Sequence, residues 1–80
     1  MEIVFSKHAV EQMHKRLISA NEVEFMVQHP DGLVKQSHDK EVFYKRFPKR
    51  TDNLLAVVAV RLFGNILEIV TVMHHFEVRK

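Results

Sequence analysis

Ser19 and Glu22 stand three residues apart, with Ile18 just before the serine and Val23 just after the glutamate. At that spacing the Ser19 hydroxyl accepts from the Glu22 N–H while the Glu22 carboxylate accepts from the Ser19 N–H, a capping box that starts a helix. Ile18 and Val23 then form a hydrophobic staple that fixes the angle at which the chain enters. A helix must begin here, so any helix before it must already have ended. Ser6 fits an N-cap for that earlier helix, because its hydroxyl can take one of the N–H groups the first turn leaves unpaired.

At 100° per residue Ala9, Val10, Met13 and Leu17 fall within one arc, which predicts the buried face of the first helix. Gln12, Lys15 and Arg16 lie within about 80° of His8 on the helical wheel and form with it a polar stripe beside that arc, while His14 points elsewhere. In the second helix Val23, Met26 and Val27 have helical spacing, and His29-Pro30-Asp31-Gly32 ends it in a turn. Glu2–Phe5, ahead of both helices, reads as a short strand.

From Leu33 the apolar period changes to two. Leu33–Ser37 and Glu41–Phe47 read as strands joined by a hairpin turn at His38-Asp39-Lys40, and Pro48–Asn53 as a polar loop. Leu54–Phe63 and Ile66–His75 are the longest and most apolar runs. Gly64-Asn65 between them suits a two-residue turn with positive backbone angles, which places these strands at or near the sheet centre. Such a turn sets Phe63 opposite Ile66 and Arg61 opposite Glu68. One face then carries Leu62, Val60, Val58 and Ala56 beside Leu67, Ile69, Thr71 and Met73, and is the expected seat of the helices. The tail Phe76–Lys80 is expected to fray. The fold class is α+β: two N-terminal helices on a twisted antiparallel sheet of about four strands.

Eighty residues suffice for one domain, in which only about 60% of the unfolded chain's surface becomes buried. No apolar run reaches bilayer length and the start lacks a signal-peptide layout, so a cytoplasmic protein with no membrane partner is expected. The lack of cysteine excludes disulfides, thiolate zinc sites and thiol nucleophiles. The net charge of +2 is unevenly spread: Leu33–Arg50 holds six basic residues against Asp39 and Glu41, a local +4, so the remainder sums to −2. That patch, with Lys45, Arg46, Lys49 and Arg50 and joined by Lys15, is a candidate phosphate-binding region. A lysine-rich edge strand that discourages aggregation would look the same, and the two readings weigh equally.

The run FSKHAVEQMHKRLISANEVEFMVQHPD, the Val42–Arg46 strand and Ile69-Val70-Thr71-Val72 together resemble a small bacterial domain-of-unknown-function family. That family is grouped with RelE-like ribonuclease toxins, alongside the BrnT type. The resemblance implies a single RelE-like domain over residues 1–80, metal-independent RNA cleavage, and an antitoxin that blocks the basic face. Its recurrent polar positions correspond to His8, Arg16, Tyr44 with Lys45 and Arg46, and Thr71. This chain departs from the pattern at Gln12, where arginine is common, and at Leu17, where glycine is common. The missing arginine weakens the ribonuclease inference.

Metal-free RNA cleavage needs a proton acceptor, stabilisation of the crowded phosphate and a proton donor. His8 at a helix start suits a base, Arg16 a phosphate clamp, and Tyr44 a stacking or proton-transfer group, with Lys45 adding charge. Lys45 and Arg46 alternate across their strand, so only one shares a face with Tyr44. Plainer roles stand beside these. His8 can bond a neighbouring loop, Arg16 a carboxylate or a helix C-terminus, Tyr44 can be a half-buried strand aromatic, and Thr71 can serve packing. The six histidines form no ligand pair, so neither metal nor cofactor is expected. Two functions remain open: a toxin-like endoribonuclease or RNA-binding domain, and a non-catalytic module that binds a protein partner or forms a homodimer.

Overall fold

The computed structural model describes residues 2–47 and 54–74. The expected loop at Pro48–Asn53, with Lys49 and Arg50, and the stretch from His75 to the end lie outside the described residues. The order of elements is β1 (Glu2–Phe5), α1 (Lys7–Arg16), α2 (Ala20–Gln28), β2 (Gly32–Lys35), β3 (Lys40–Arg46), β4 (Leu54–Leu62) and β5 (Ile66–His74).

Both helices start where the caps require. The Ser6 hydroxyl accepts from the Ala9 N–H, and the Ser19–Glu22 capping box has both of its bonds, at 3.1 and 2.9 Å. Ala9 and Met13 are buried as expected, whereas Val10 is exposed. Leu17 is not part of the buried arc either. It lies beyond the helix as a left-handed C-cap at φ 54°, and its side chain is 83% exposed. The Ile18 N–H bonds the Met13 carbonyl at 2.9 Å in the manner of a Schellman end, and Ile18 itself turns inward.

The sheet has five strands rather than four, and it is mixed rather than purely antiparallel. Its order is β1-β5-β4-β3-β2, with β1 parallel to β5 and every other pair antiparallel. β1 joins at the edge, where Glu2–Phe5 runs alongside the start of β5. β4 is central, as the apolar run predicts.

The register of the last hairpin differs from the expectation by one residue. Leu62 pairs with Ile66 and Arg61 with Leu67, so the loop is the three residues Phe63, Gly64 and Asn65. Gly64 and Asn65 do have positive φ, at 80° and 65°, but one residue more is looped out. Because side chains alternate, this slip changes which face of β4 is covered. The helices sit over Leu55, Val57 and Ala59, not over Ala56, Val58, Val60 and Leu62. On β5 the covered residues are Leu67, Ile69 and Val72, because Val70 is inserted as an extra residue between the Val58–Thr71 and Ala59–Ile69 pairs. The parity of β5 therefore switches midway, and Thr71 and Met73 fall on the face away from the helices.

α1 lies against β5 and α2 against β3. Between them and the sheet is one core, in which Met26, Leu55, Leu67, Ile69, Val23, Val57 and Val72 are the largest fully buried side chains. Ile3, Phe5 and Phe47 pack on its margin. No helix among the described residues is long and apolar enough to cross a membrane.

Leu17 holds a backbone conformation that costs an L-residue about 1–2 kcal/mol, part of which glycine gives back as unfolded-state entropy. Leu17→Gly is expected to stabilise the fold by roughly 0.5–1 kcal/mol and raise the melting temperature by about 2–8 °C. Thermal unfolding by circular dichroism reads this directly, and an unchanged or lowered melting temperature would contradict the C-cap assignment.

Candidate functional site

The polar stripe of α1 divides by what its side chains touch. β1 pairs with β5 only as far as Ile69, after which the chain turns away into α1, and no strand among the described residues continues along that edge of β5. Side chains of α1 and its cap take that place. The Ser6 N–H donates to the Ile69 carbonyl at 2.9 Å, and the Ser6 hydroxyl donates to the Val70 carbonyl at 3.3 Å. The Val72 N–H donates to Gln12 Oε1 at 2.9 Å, and Arg16 Nη1 donates to the Val72 carbonyl at 2.7 Å. Gln12 and Arg16 thus bond the two outward-facing groups of one strand residue as a neighbouring strand would. A partly buried peptide group left unbonded costs more than the bond itself is worth, so both side chains contribute to the stability of the fold.

His8 and Lys15 lie on the outer part of the stripe and are exposed. His8 is the second residue of α1, and its side chain makes no hydrogen bond among the described residues. Arg16 donates to a strand carbonyl, that of Val72.

The second group gathers where α2 ends beside β3. Tyr44 pairs with Gly32 on the face away from the helices, and its ring occupies the space over that glycine: a Cβ on Gly32 would fall 2.0 Å from Tyr44 Oη. Lys45, next along the strand, points to the helix side. Its Nζ lies 3.3 Å from Asp31 Oδ1 and 5.2 Å from the centre of the Phe25 ring. Phe25 in turn packs against His29 one helical turn on, with ring centres 5.1 Å apart and planes tilted by 46°. Asp31 Oδ2 accepts from the Arg46 N–H at 2.8 Å. That backbone bond, followed by the bond and charge of Lys45, holds the Asp31 carboxyl below its ordinary value of 3.8. The turn after α2 is thereby tied to the end of β3, and Phe25, His29, Lys45 and Arg46 come together at one end of the sheet.

These placements separate the residues grouped by the cleavage reading. Tyr44 and Arg46 share one face, Lys45 the other, and β3 lies two strands from β5, about 10 Å across the sheet from the Arg16 contact. Lys49 and Arg50 are outside the described residues. Thr71 is half-buried across from Val58, on the face away from the helices.

Two features escaped the sequence. Phe25 and His29 at i and i+4 have the spacing of a stacked pair, a signal that could have been read beside Lys45. Arg61 pairs with Glu41 across β3 and β4 rather than with Glu68, and Glu41 is almost fully buried. A buried carboxylate requires such a partner, and the one-residue shift in the last hairpin is what conceals it. No group of three or more metal-ligating side chains is found among the described residues.

The chain belongs to a family described as a domain of unknown function, DUF4258, whose model matches residues 5–74. No curated protein and no solved structure matches it.

The division of the stripe predicts different costs of substitution. Arg16→Met and Gln12→Leu should each destabilise the fold by about 1–3 kcal/mol, since each leaves one Val72 group unbonded. His8→Ala should stay within about 0.5 kcal/mol of the parent. Urea unfolding distinguishes them, and an Arg16→Met protein as stable as His8→Ala would refute the edge-completing role.

Proposed function

We propose that this member of the DUF4258 family is a RelE-like domain that binds single-stranded RNA at the end of the sheet where α2 meets β3. The observation that carries the reading is the cluster of Lys45, Phe25 and His29. Phe25 is 48% exposed and His29 is exposed beside it, so two aromatic faces are available for unpaired bases. A base stacked on an exposed aromatic ring contributes about 1–3 kcal/mol and needs no sequence match. The Lys45 ammonium beside the ring supplies a charge for the adjoining phosphate, in exchange for its contact with Asp31. Arg46 is exposed at the same end, and Lys49 and Arg50 follow it closely in the sequence.

Binding has more support than cleavage. His8 remains the candidate proton acceptor, but Arg16 is engaged with Val72 and Tyr44 lies over Gly32, away from Lys45. A cognate antitoxin, in this reading, is a protein with an acidic segment that covers Phe25, Lys45 and Arg46. A protein-interaction module is the second reading, favoured by the apolar outer face of the sheet.

Fluorescence anisotropy with a labelled single-stranded RNA tests the proposal. Phe25→Ala should weaken binding about tenfold or more. Lys45→Ala should weaken it and lower the slope of log affinity against log salt by about 0.7. His8→Ala should bind as the parent does. No binding at low salt, or equal binding by Phe25→Ala, would overturn the proposal. Induced expression of parent and His8→Ala, read by growth and total RNA integrity, tests cleavage separately: harmless parent protein with intact RNA would end the ribonuclease reading.

A further inference from the structure

The face of the sheet away from the helices is apolar across its width. Val58 and Val60 of the central strand, Leu62 at its end, Ile66 and Met73 on β5, and Val34 on β2 share it by register with their neighbours. Val34 and Leu62 are exposed and the others named are half-buried, while Val42 and Ala56, on the same face, are buried. An antiparallel sheet that leaves one face in water normally alternates apolar and polar residues, and here the alternation fails on the solvent side.

Glu2 and Arg46 stand towards the ends of this face, and the two charges at its middle are arranged in a particular way. Lys40 pairs with Val60 on one side of β4, and Glu68 pairs with the same Val60 on the other. Lysine, valine and glutamate therefore form one row across the sheet, centred on the middle strand. We propose that this face is the interface of a homodimer, with a two-fold axis running along β4 between two sheets packed face to face. Rotation about that axis brings Val60 against Val60 of the second copy and Val58 against its counterpart. It also carries Lys40 of each copy over Glu68 of the other, so the row complements itself. An isologous interface demands this kind of pattern, and an unrelated partner does not.

The size is sufficient. Five strands spaced about 4.8 Å apart and the central span of the long strands give a footprint of roughly 20 by 25 Å, or about 1,000 Å² over two copies, where specific interfaces begin. Sheets stacked in this way sit about 10 Å apart, within reach of a lysine and a glutamate extending towards each other. Lys45, Phe25 and His29 lie on the helix side and stay accessible in the dimer.

Sedimentation equilibrium of the full chain over a range of concentrations tests the proposal, with melting temperature as the control for folding. The parent should be a reversible dimer. Lys40→Glu alone and Glu68→Lys alone each set two pairs of like charges across the interface and should raise the dissociation constant at least about tenfold. The double exchange K40E/E68K restores opposite charges and should recover most of the parent affinity. Val60→Asp places two carboxylates at the axis and should give a folded monomer. A parent that is monomeric at all concentrations overturns the proposal. So does a dimer indifferent to the exchanges, or one that the double exchange fails to restore.

Discussion

The unfinished edge of β5 governs how this domain is built. β1 is only four residues long, and beyond Ile69 no strand among the described residues pairs with that edge of β5. The carbonyl of Val70 is bonded by Ser6 instead, and the N–H and carbonyl of Val72 by Gln12 and Arg16. This ties the position of α1 to the sheet by directional bonds as well as by apolar packing. Ala9 and Met13 can then press on the core while the same helix keeps its polar side along the edge. The insertion of Val70 belongs to the same arrangement. It shifts β5 so that Val72 enters the core while its peptide groups face α1.

That constraint decides which polar residues are spare. A stripe of four side chains on one helix suggests a single site, but Gln12 and Arg16 are consumed by the edge and only His8 and Lys15 are left in solvent. The more developed polar cluster lies elsewhere, at the end of α2. There Asp31 fastens the turn to β3, and Lys45, Phe25 and His29 are held in one group. The sheet's outer face is a third surface, apolar along its middle strand, with Lys40 and Glu68 flanking Val60 and with Glu2 and Arg46 towards its ends. The three surfaces differ in chemistry: the first completes the sheet, the second is the one proposed to bind RNA, and the third is the one proposed to meet a second copy of the chain.

What the sequence reveals is mostly what depends on near neighbours. The capping box at Ser19 and Glu22, the cap at Ser6 and the positive angles at Gly64 and Asn65 are all local, and all are found. The alternation that parts Tyr44 from Lys45 is likewise legible from the strand period. The edge bonds are not, because they join residues 56, 60 and 64 positions apart and nothing in a helix's own pattern says which strand it will lie beside. The covered face of β4 is missed for a smaller reason. A loop of three residues and a loop of two share the same Gly-Asn signal, yet they put opposite faces towards the helices. The bonding of Arg61 to Glu41 is hidden behind the same slip.

The seating of α1 on the sheet depends on the Val72 peptide being bonded by that helix rather than open to water, and native-state hydrogen exchange at the Val72 amide measures the bond. The amide should exchange slowly in the parent, and Gln12→Leu should accelerate it far more than the amides of β4 under conditions where the fold remains intact. A Val72 amide that exchanges like an open strand edge in the parent, or that is unaffected by loss of Gln12, would contradict this dependence.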